Sequence, residues 1–383
     1  MSNYEVGIIG AGIHGASVAH HLGRAGVTTA LFERETPAAG PTGRSSAVCR
    51  AGYTNPFLAR MARESIELLG RFGEAIDGAD AGFVRTGMLY VHRAEDAGPG
   101  LDELLANLEA LGVAVAESRP EDHPELRVEP GERLVWEPGA GHADPVGATR
   151  GLVDDARRHG VAVHAHTAIA ELTPRAAGGA RLRTAEGDVH EVERLLIAAG
   201  PWTGPLLRSI GVDLPLIVER HVVATFGWGD APRVPYVLGD VRGGYYLKPE
   251  GQEQFGLGSL LAEPQADPDD YVETVAGDES LALVEPAIRR VPGLADAEPA
   301  GGWGSLYDVS PDWQPVIGPV ADGIHVSAGT SGHGFKLAPA LGRRIADLLV
   351  GADPDPGLAQ FSPERFATGS TLAAGFGAAR ILG

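Results

Sequence analysis

"EVGIIGAGIHGASVAHHLGRAGVTTALFER", residues 5–34, decides the fold. Its opening apolar run suits a strand buried on both faces. "GIHGASVAHHLGRAG" then has the spacing of an amphipathic helix closed by Gly26, and "VTTALFE" returns to a β-branched strand. Gly10, Gly12 and Gly15 form G-x-G-x-x-G between the first strand and the helix, with Ile13 and His14 inside the motif. Seventeen residues separate Gly15 from Glu33, the acid that closes the second strand. The glycines permit a tight turn and close backbone approach, and the helix N-terminus suits a pyrophosphate. Glu33 is spaced to accept ribose hydroxyls, and its charge repels a 2′-phosphate, so FAD or NAD is favoured over NADP.

Downstream, "TPAAGPTGRSSAVCRAGY" is a Gly/Ser/Thr/Pro loop too long for a simple turn. A helix is expected over 56–77, alternation typical of strands from residue 83, and a charged helix near 101–111. Asp144, Pro145 and Gly160 mark a helix as N-cap, first-turn proline and stop. Strands follow to 198 and dominate 216–305, interrupted by one helix near 268–290. The chain then returns to a strand, "GIHVSAG", and a last amphipathic helix. These patterns predict an α/β plus β-rich protein. A discontinuous Rossmann-like nucleotide-binding domain (1–82, 140–215, 306–366) would carry a substrate domain on an antiparallel or mixed sheet (83–139, 216–305), with a tail at 367–383.

A length of 383 residues implies more than one core, and 44% apolar content allows them. A net charge of −20 argues against nucleic acid or an anionic membrane as partner. The single cysteine, Cys49, excludes an intrachain disulfide and a cysteine-cluster metal site. No metal-spaced His/Asp cluster stands out. No apolar window is long enough to span a membrane and the N-terminus lacks a signal-peptide pattern, so a cytoplasmic protein is expected.

Six segments carry a resemblance. In order they are the residues quoted above, "GPTGRSSAVCRAGY", "GHADPVGATRGL", "LLIAAGPWTGPLL", "SLYDVSPDWQPVIGP" and "SAGTSGHGFKLAPALGRRIADLL". Together they resemble the D-amino-acid oxidase superfamily, in particular its sarcosine and glycine oxidase branch, over residues 4–366. The resemblance implies FAD, with Glu33 and Arg34 at the adenosine end. Arg44, Ser45 and Ser46 would line the phosphates and the flavin ring, and Ala199, Gly200 and Trp202 would shape the channel. Trp202 as plain core is the competing reading. Gly332, His333, Gly334 and Phe335 would bring a helix N-terminus to the flavin, whose reduction places negative charge at one edge of the ring.

The same resemblance assigns Arg50 and Lys336 to a substrate carboxylate, which an arginine fork matches through two parallel bonds. A structural ion pair for Arg50 and a surface position for Lys336 are the alternatives. Tyr246 and His221 are further pocket candidates, with Tyr245, Trp303 and His333. Tyr245 and Tyr246 alternate, so only one faces the pocket. Ser305 stands where relatives attach the flavin through cysteine, and the "TGRSS" loop lacks the histidine that others use, which points to non-covalent FAD. The lysine that promotes oxygen reduction in sarcosine oxidase would fall near Leu257, and Lys248 sits in a different strand phase.

The implied reaction is oxidation of a C–N bond in a small amino acid or N-substituted amino acid by hydride transfer to the flavin. The imine then hydrolyses, and electrons pass to O2 or another acceptor. Oxidation of a 2-hydroxy acid, with His221 or His333 as base, is one alternative. A flavoprotein subunit working with a separate partner is the other. The chain itself is expected to be a monomer or homo-oligomer.

Overall fold

A computed structural model describes residues 2–93, 100–373 and 378–382. The βαβ unit forms as its periodicity dictates. Strand β1 (Ser2–Ile9) buries Val6–Ile9, helix α1 is Ile13–Arg24, and strand β2 is Thr29–Phe32. β1 runs parallel to β2 on one side and to the strand Val189–Ile197 on the other. Parallel partners Ala162–His164 and Ile324–Ala328 extend this arrangement outward. The antiparallel strands Val316–Ala321, Ala180–Thr184 and Ile169–Pro174 complete eight strands.

A second eight-stranded sheet has the order 298–309, 217–227, 254–259, 245–250, 237–240, 88–93, 132–137, 116–118. Its pairs are antiparallel except 237–240 with 88–93. The strand Glu298–Val309 continues past residue 305 and stays in this sheet to its end. The mixed α/β and β-rich class expected from the sequence is the one observed.

Local signals explain most boundaries. Asn55 caps helix α2 (Pro56–Gly70) by accepting from the Phe57 and Leu58 amides at 3.0 and 3.3 Å. Asp144 likewise accepts from the Val146 amide at 2.9 Å and starts the helix Pro145–Arg158. Two helix expectations need correction. The helix expected over 56–77 breaks at Arg71, whose φ and ψ are −133° and 35°, and resumes for four residues, Phe72–Ala75. Gly70 and Gly73 weaken propagation there, while Phe72 turns into the core. The helix expected from 268 starts only at Gly277, where the Ala276 amide donates to Glu279 at 2.8 Å. Residues 268–273 instead run along the wall of the main cavity.

The larger core lies between α1, α2 and the closing helix Gly334–Val350. Ala379, Ile381 and Leu382, from the expected tail, belong to that core, while residues 374–377 and 383 lie outside the described residues. A separate apolar cluster fills one face of the second sheet, around Leu89, Phe226, Tyr245 and Leu257.

Candidate active site

A cavity of about 860 Å³ runs from the β1–α1 turn to the second sheet. Gly10 makes the turn at φ +102°, and a Cβ there would lie 2.4 Å from the Ala198 carbonyl oxygen. Only glycine combines that conformation with that approach. Gly12, Ile13 and His14 join Gly10 on the wall, whereas Gly15 lies behind it, packed so that a Cβ would meet the Gly10 carbonyl oxygen at 1.9 Å. Gly15 therefore positions the turn and does not line the cavity, a correction to its expected contact. The Ile13 amide donates to the Thr42 hydroxyl at 3.2 Å, which ties the "TGRSS" loop to the helix start.

Glu33 also lines the cavity. Its two oxygens accept from the Ala11 amide at 2.8 Å and the Glu35 amide at 2.9 Å, so its carboxylate is held at the end of β2. Arg34 places its guanidinium 3.8 Å above the Trp202 ring, and the Trp202 Nε1–H donates to Asp269 at 2.8 Å. Trp202 is thus a cavity wall, not core. Ala199, Gly200, Arg44, Ser45 and Ser46 line the same space. Arg44 donates to Tyr271 and, at 2.8 Å, to Glu273, so the strap 268–273 is pinned to the loop. Sequence reading missed this strap because acidic Pro/Asp residues before a real helix resemble its first turn.

At the other end Gly332, Gly334 and Phe335 reach the wall with His14. Burial lowers the His14 pKa to about 4, so its ring is neutral. Nε2–H donates to the Gly334 carbonyl at 3.1 Å, leaving Nδ1 to accept from the Ser327 hydroxyl at 2.8 Å. Tyr246 lines the cavity and shares a 2.6 Å hydrogen bond with Ser46, while Tyr245 lies on the opposite face in the apolar cluster. Burial pushes the Tyr246 phenol up to about 12. His221, also on the wall, stacks on Tyr307 at 3.9 Å. Its Nε2–H donates to Glu219 at 3.1 Å, and Nδ1 has no partner.

Asp308 is a wall residue that sequence reading passed over, although it lies within the quoted "SLYDVSPD". Burial raises its pKa to about 6. One oxygen accepts from Thr330 at 2.9 Å and the other is unpartnered. Trp303 is off the wall and donates to the Arg44 carbonyl at 2.8 Å. Leu257 is fully buried in the second-sheet cluster. Lys248, across from Gly256, nevertheless reaches the loop: its Nζ donates to the Ser46 carbonyl at 3.1 Å and pairs with Glu250 at 2.5 Å. Cys49 is buried off the wall, with its thiol pushed up to about 12 by burial.

Arg50, His333 and Lys336 are brought together, but behind the cavity wall. Arg50 is 2% exposed, Lys336 5% and His333 0%. Burial, and then the Arg50 charge, bring the Lys336 pKa from 10.5 to about 7. Neither Arg50 nor Lys336 forms an ion pair among the described residues; their bonds go to carbonyls of Gly52, Ile381 and Gly332. Glu137 feels the Arg50 charge, but its carboxylate is taken up by the Ala51 and Gly52 amides and the Tyr90 hydroxyl. Lys336 is therefore no surface residue. Elsewhere His20 meets Asp155 at 2.7 Å, in a cluster with Arg24 and Arg158 that braces α1 against the helix Pro145–Arg158.

The donor set fits an extended dinucleotide. A glycine turn and helix N-terminus stand beside a fixed carboxylate at one end, and amides and hydroxyls of two loops stand at the other. Among the described residues no helix is long and apolar enough to cross a membrane, and no cluster of metal-ligand side chains occurs.

A family model described as DAO, FAD dependent oxidoreductase, matches residues 5–348. The mitochondrial dimethylglycine dehydrogenase of Rattus norvegicus is 28% identical over 394 residues, which cover 96% of this chain and 45% of that protein. The chain thus spans less than half the length of that relative. Human peroxisomal sarcosine oxidase is 28% identical over 94% of this chain and 95% of its own. Among solved structures, L-proline dehydrogenase from P. horikoshii has a TM-score of 0.86 at 22% identity, covering 97% of this chain and all of that one. Glycine oxidase from Geobacillus kaustophilus has a TM-score of 0.80 at 22% identity, covering 95% and 99%. At these identities the two structures speak for the fold.

Proposed function

The chain belongs to the DAO family of FAD dependent oxidoreductases, and on that premise we propose that it oxidises the C–N bond of a small amino acid or N-substituted amino acid. The observation that carries the substrate class is the pair of buried cations, Arg50 and Lys336, which lack an acidic partner of their own. Unpaired buried charge is costly, and a substrate carboxylate would relieve it. The named activities of the dimethylglycine, sarcosine and glycine enzymes support the same class.

In this reading Gly10, Gly12, Ile13 and the α1 N-terminus hold the pyrophosphate of non-covalent FAD, and Glu33 holds the ribose. Ser45, Ser46, Gly332 and Gly334 line the ring. Bound FAD supplies the hydride acceptor. The protein's own work is to place the substrate and keep its amine neutral. Arg50 and Lys336 orient the carboxylate. Glu219 fixes the tautomer of His221, leaving Nδ1 free to take a proton from the substrate ammonium. Tyr246 remains a phenol and offers a hydrogen-bond donor at the Ser46 side of the cavity. Electrons leave to dioxygen or another acceptor. A cytoplasmic monomer or homo-oligomer completes the reading.

The His221–Glu219 pair also favours a second reading, in which Nδ1 removes the hydroxyl proton of a 2-hydroxy acid. An anaerobic screen of flavin bleaching separates the two. Bleaching by amino acids or N-alkyl amino acids supports the first reading, and bleaching by hydroxy acids alone selects the second. Lys336→Met is expected to weaken carboxylate binding ~10-fold or more while FAD stays bound, since a charge-assisted bond contributes about 1.5–3 kcal/mol. Unchanged affinity would remove the carboxylate reading.

A further inference from the structure

The compartment that holds Arg50 and Lys336 is closed by the last described stretch of chain. Arg50 Nη1 donates to the Gly52 carbonyl and Nη2 to the Ile381 carbonyl, both at 2.9 Å, and its guanidinium lies 4.5 Å over the Tyr53 ring. The one hydrogen bond of Lys336, to Gly332, is 3.5 Å long. The Tyr53 hydroxyl and both ring nitrogens of His333 are buried without partners. The Arg380 backbone faces His333 but does not complete a hydrogen bond. Polar groups buried without partners are costly, so the closed compartment is polar and incompletely satisfied.

Its cover is apolar. Ala379, Ile381 and Leu382 are buried in the main core, and the Leu382 amide turns back to the Ala379 carbonyl at 3.0 Å. The polar tie between cover and compartment, among the described residues, is the Ile381 carbonyl on Arg50. A backbone carbonyl is one neutral acceptor. A carboxylate brings two charged oxygens to the same fork and is the stronger partner.

We infer that residues 378–382 form a displaceable plug. In the resting protein they occupy Arg50 and seal the compartment from the far side of the cavity wall, and an incoming carboxylate takes Arg50 from them. This rests on the reading that Arg50 and Lys336 grip the substrate carboxylate. Because the plug and the ligand share one guanidinium, the apparent affinity is reduced by the fraction of molecules in which the plug is open.

The test compares the holoenzyme with a chain stopped after Ala373, and with Ile381→Ser in the full chain, a change that loosens the apolar cover without adding a carboxylate beside Arg50. Acetate and propionate serve as probes, titrated by calorimetry. Both variants are expected to bind the carboxylates at least tenfold more tightly than the intact chain. Amide hydrogen exchange of the unaltered holoenzyme is expected to quicken at residues 379–382 when propionate is added, a readout that needs no variant. Equal or weaker binding by the variants, with exchange at 379–382 unmoved by propionate, overturns the plug while leaving the carboxylate reading intact. Failure of every chain to bind either carboxylate overturns that reading, and the plug with it.

Discussion

Replacing Lys336 by Met removes an ammonium that the fold keeps almost wholly from water. The side chain is 5% exposed, and burial together with the nearby Arg50 charge lowers its pKa from 10.5 to about 7. Between those two values the unfolded chain carries a proton at this position that the folded chain does not. Stability therefore rises with pH across the window, and below about pH 7 the full penalty of burying the charge is present. One pKa unit corresponds to about 1.4 kcal/mol, so this lysine makes the protein ~2–3 kcal/mol less stable at about pH 7 than at about pH 9. Methionine has similar length, no proton to exchange and no desolvation cost. Lys336→Met is expected to be the more stable protein at pH 7, by ~2–4 kcal/mol, with the advantage shrinking by ~2–3 kcal/mol on going to about pH 9. The assay is urea unfolding of both proteins at matched pH and saturating FAD, so that cofactor linkage and all other titrating groups cancel in the difference. A difference that stays flat with pH would refute the reasoning, because it would mean that Lys336 titrates as an ordinary exposed lysine.

Carboxylate affinity should carry the same signature with the opposite sense. Above about pH 7 Lys336 must take up a proton to grip the ligand, so acetate binding is expected to weaken ~10-fold per pH unit, a slope that Lys336→Met abolishes in calorimetric titrations. Gly15→Ala would force a Cβ to 1.9 Å from the Gly10 carbonyl oxygen, so the turn must shift. The variant is expected to purify with little FAD, measured as flavin released on denaturation, and full retention would contradict the tight turn. Trp202→Ala removes the hydrogen bond to Asp269 and the platform under Arg34. Together these contribute about 1–2 kcal/mol, so the FAD dissociation constant is expected to rise ~10-fold in a fluorescence-quenching titration.

Local order along the chain carries much of this protein. The βαβ unit, the acid after β2 and the cap at Asp144 are set by residues within a few turns of one another, and they form as their spacing predicts. Alternation required that only one of Tyr245 and Tyr246 face the cavity, and the tertiary structure made that one Tyr246. The helix break at Arg71 and the strap at 268–273 escaped because propensity there is weak, and distant partners decided between conformations of similar energy. The strap's partners, Arg34, Trp202 and Arg44, lie 67 to 235 residues away in the chain.

The sequence by itself determined the nucleotide fold, because glycine spacing and hydrophobic period are short-range properties of the backbone. Resemblance to the oxidase family pointed to Arg50 and Lys336, with an ion pair and a surface position as the alternatives. Only the tertiary structure decided their environment. Burial, lost solvation and mutual repulsion depend on which surfaces close over a side chain, and here one of those surfaces comes from Ile381, 331 residues after Arg50. A lysine in the first turn of the closing helix, for which a surface position is one reading of the sequence, is instead buried beside Arg50, and that environment brings its pKa to about 7.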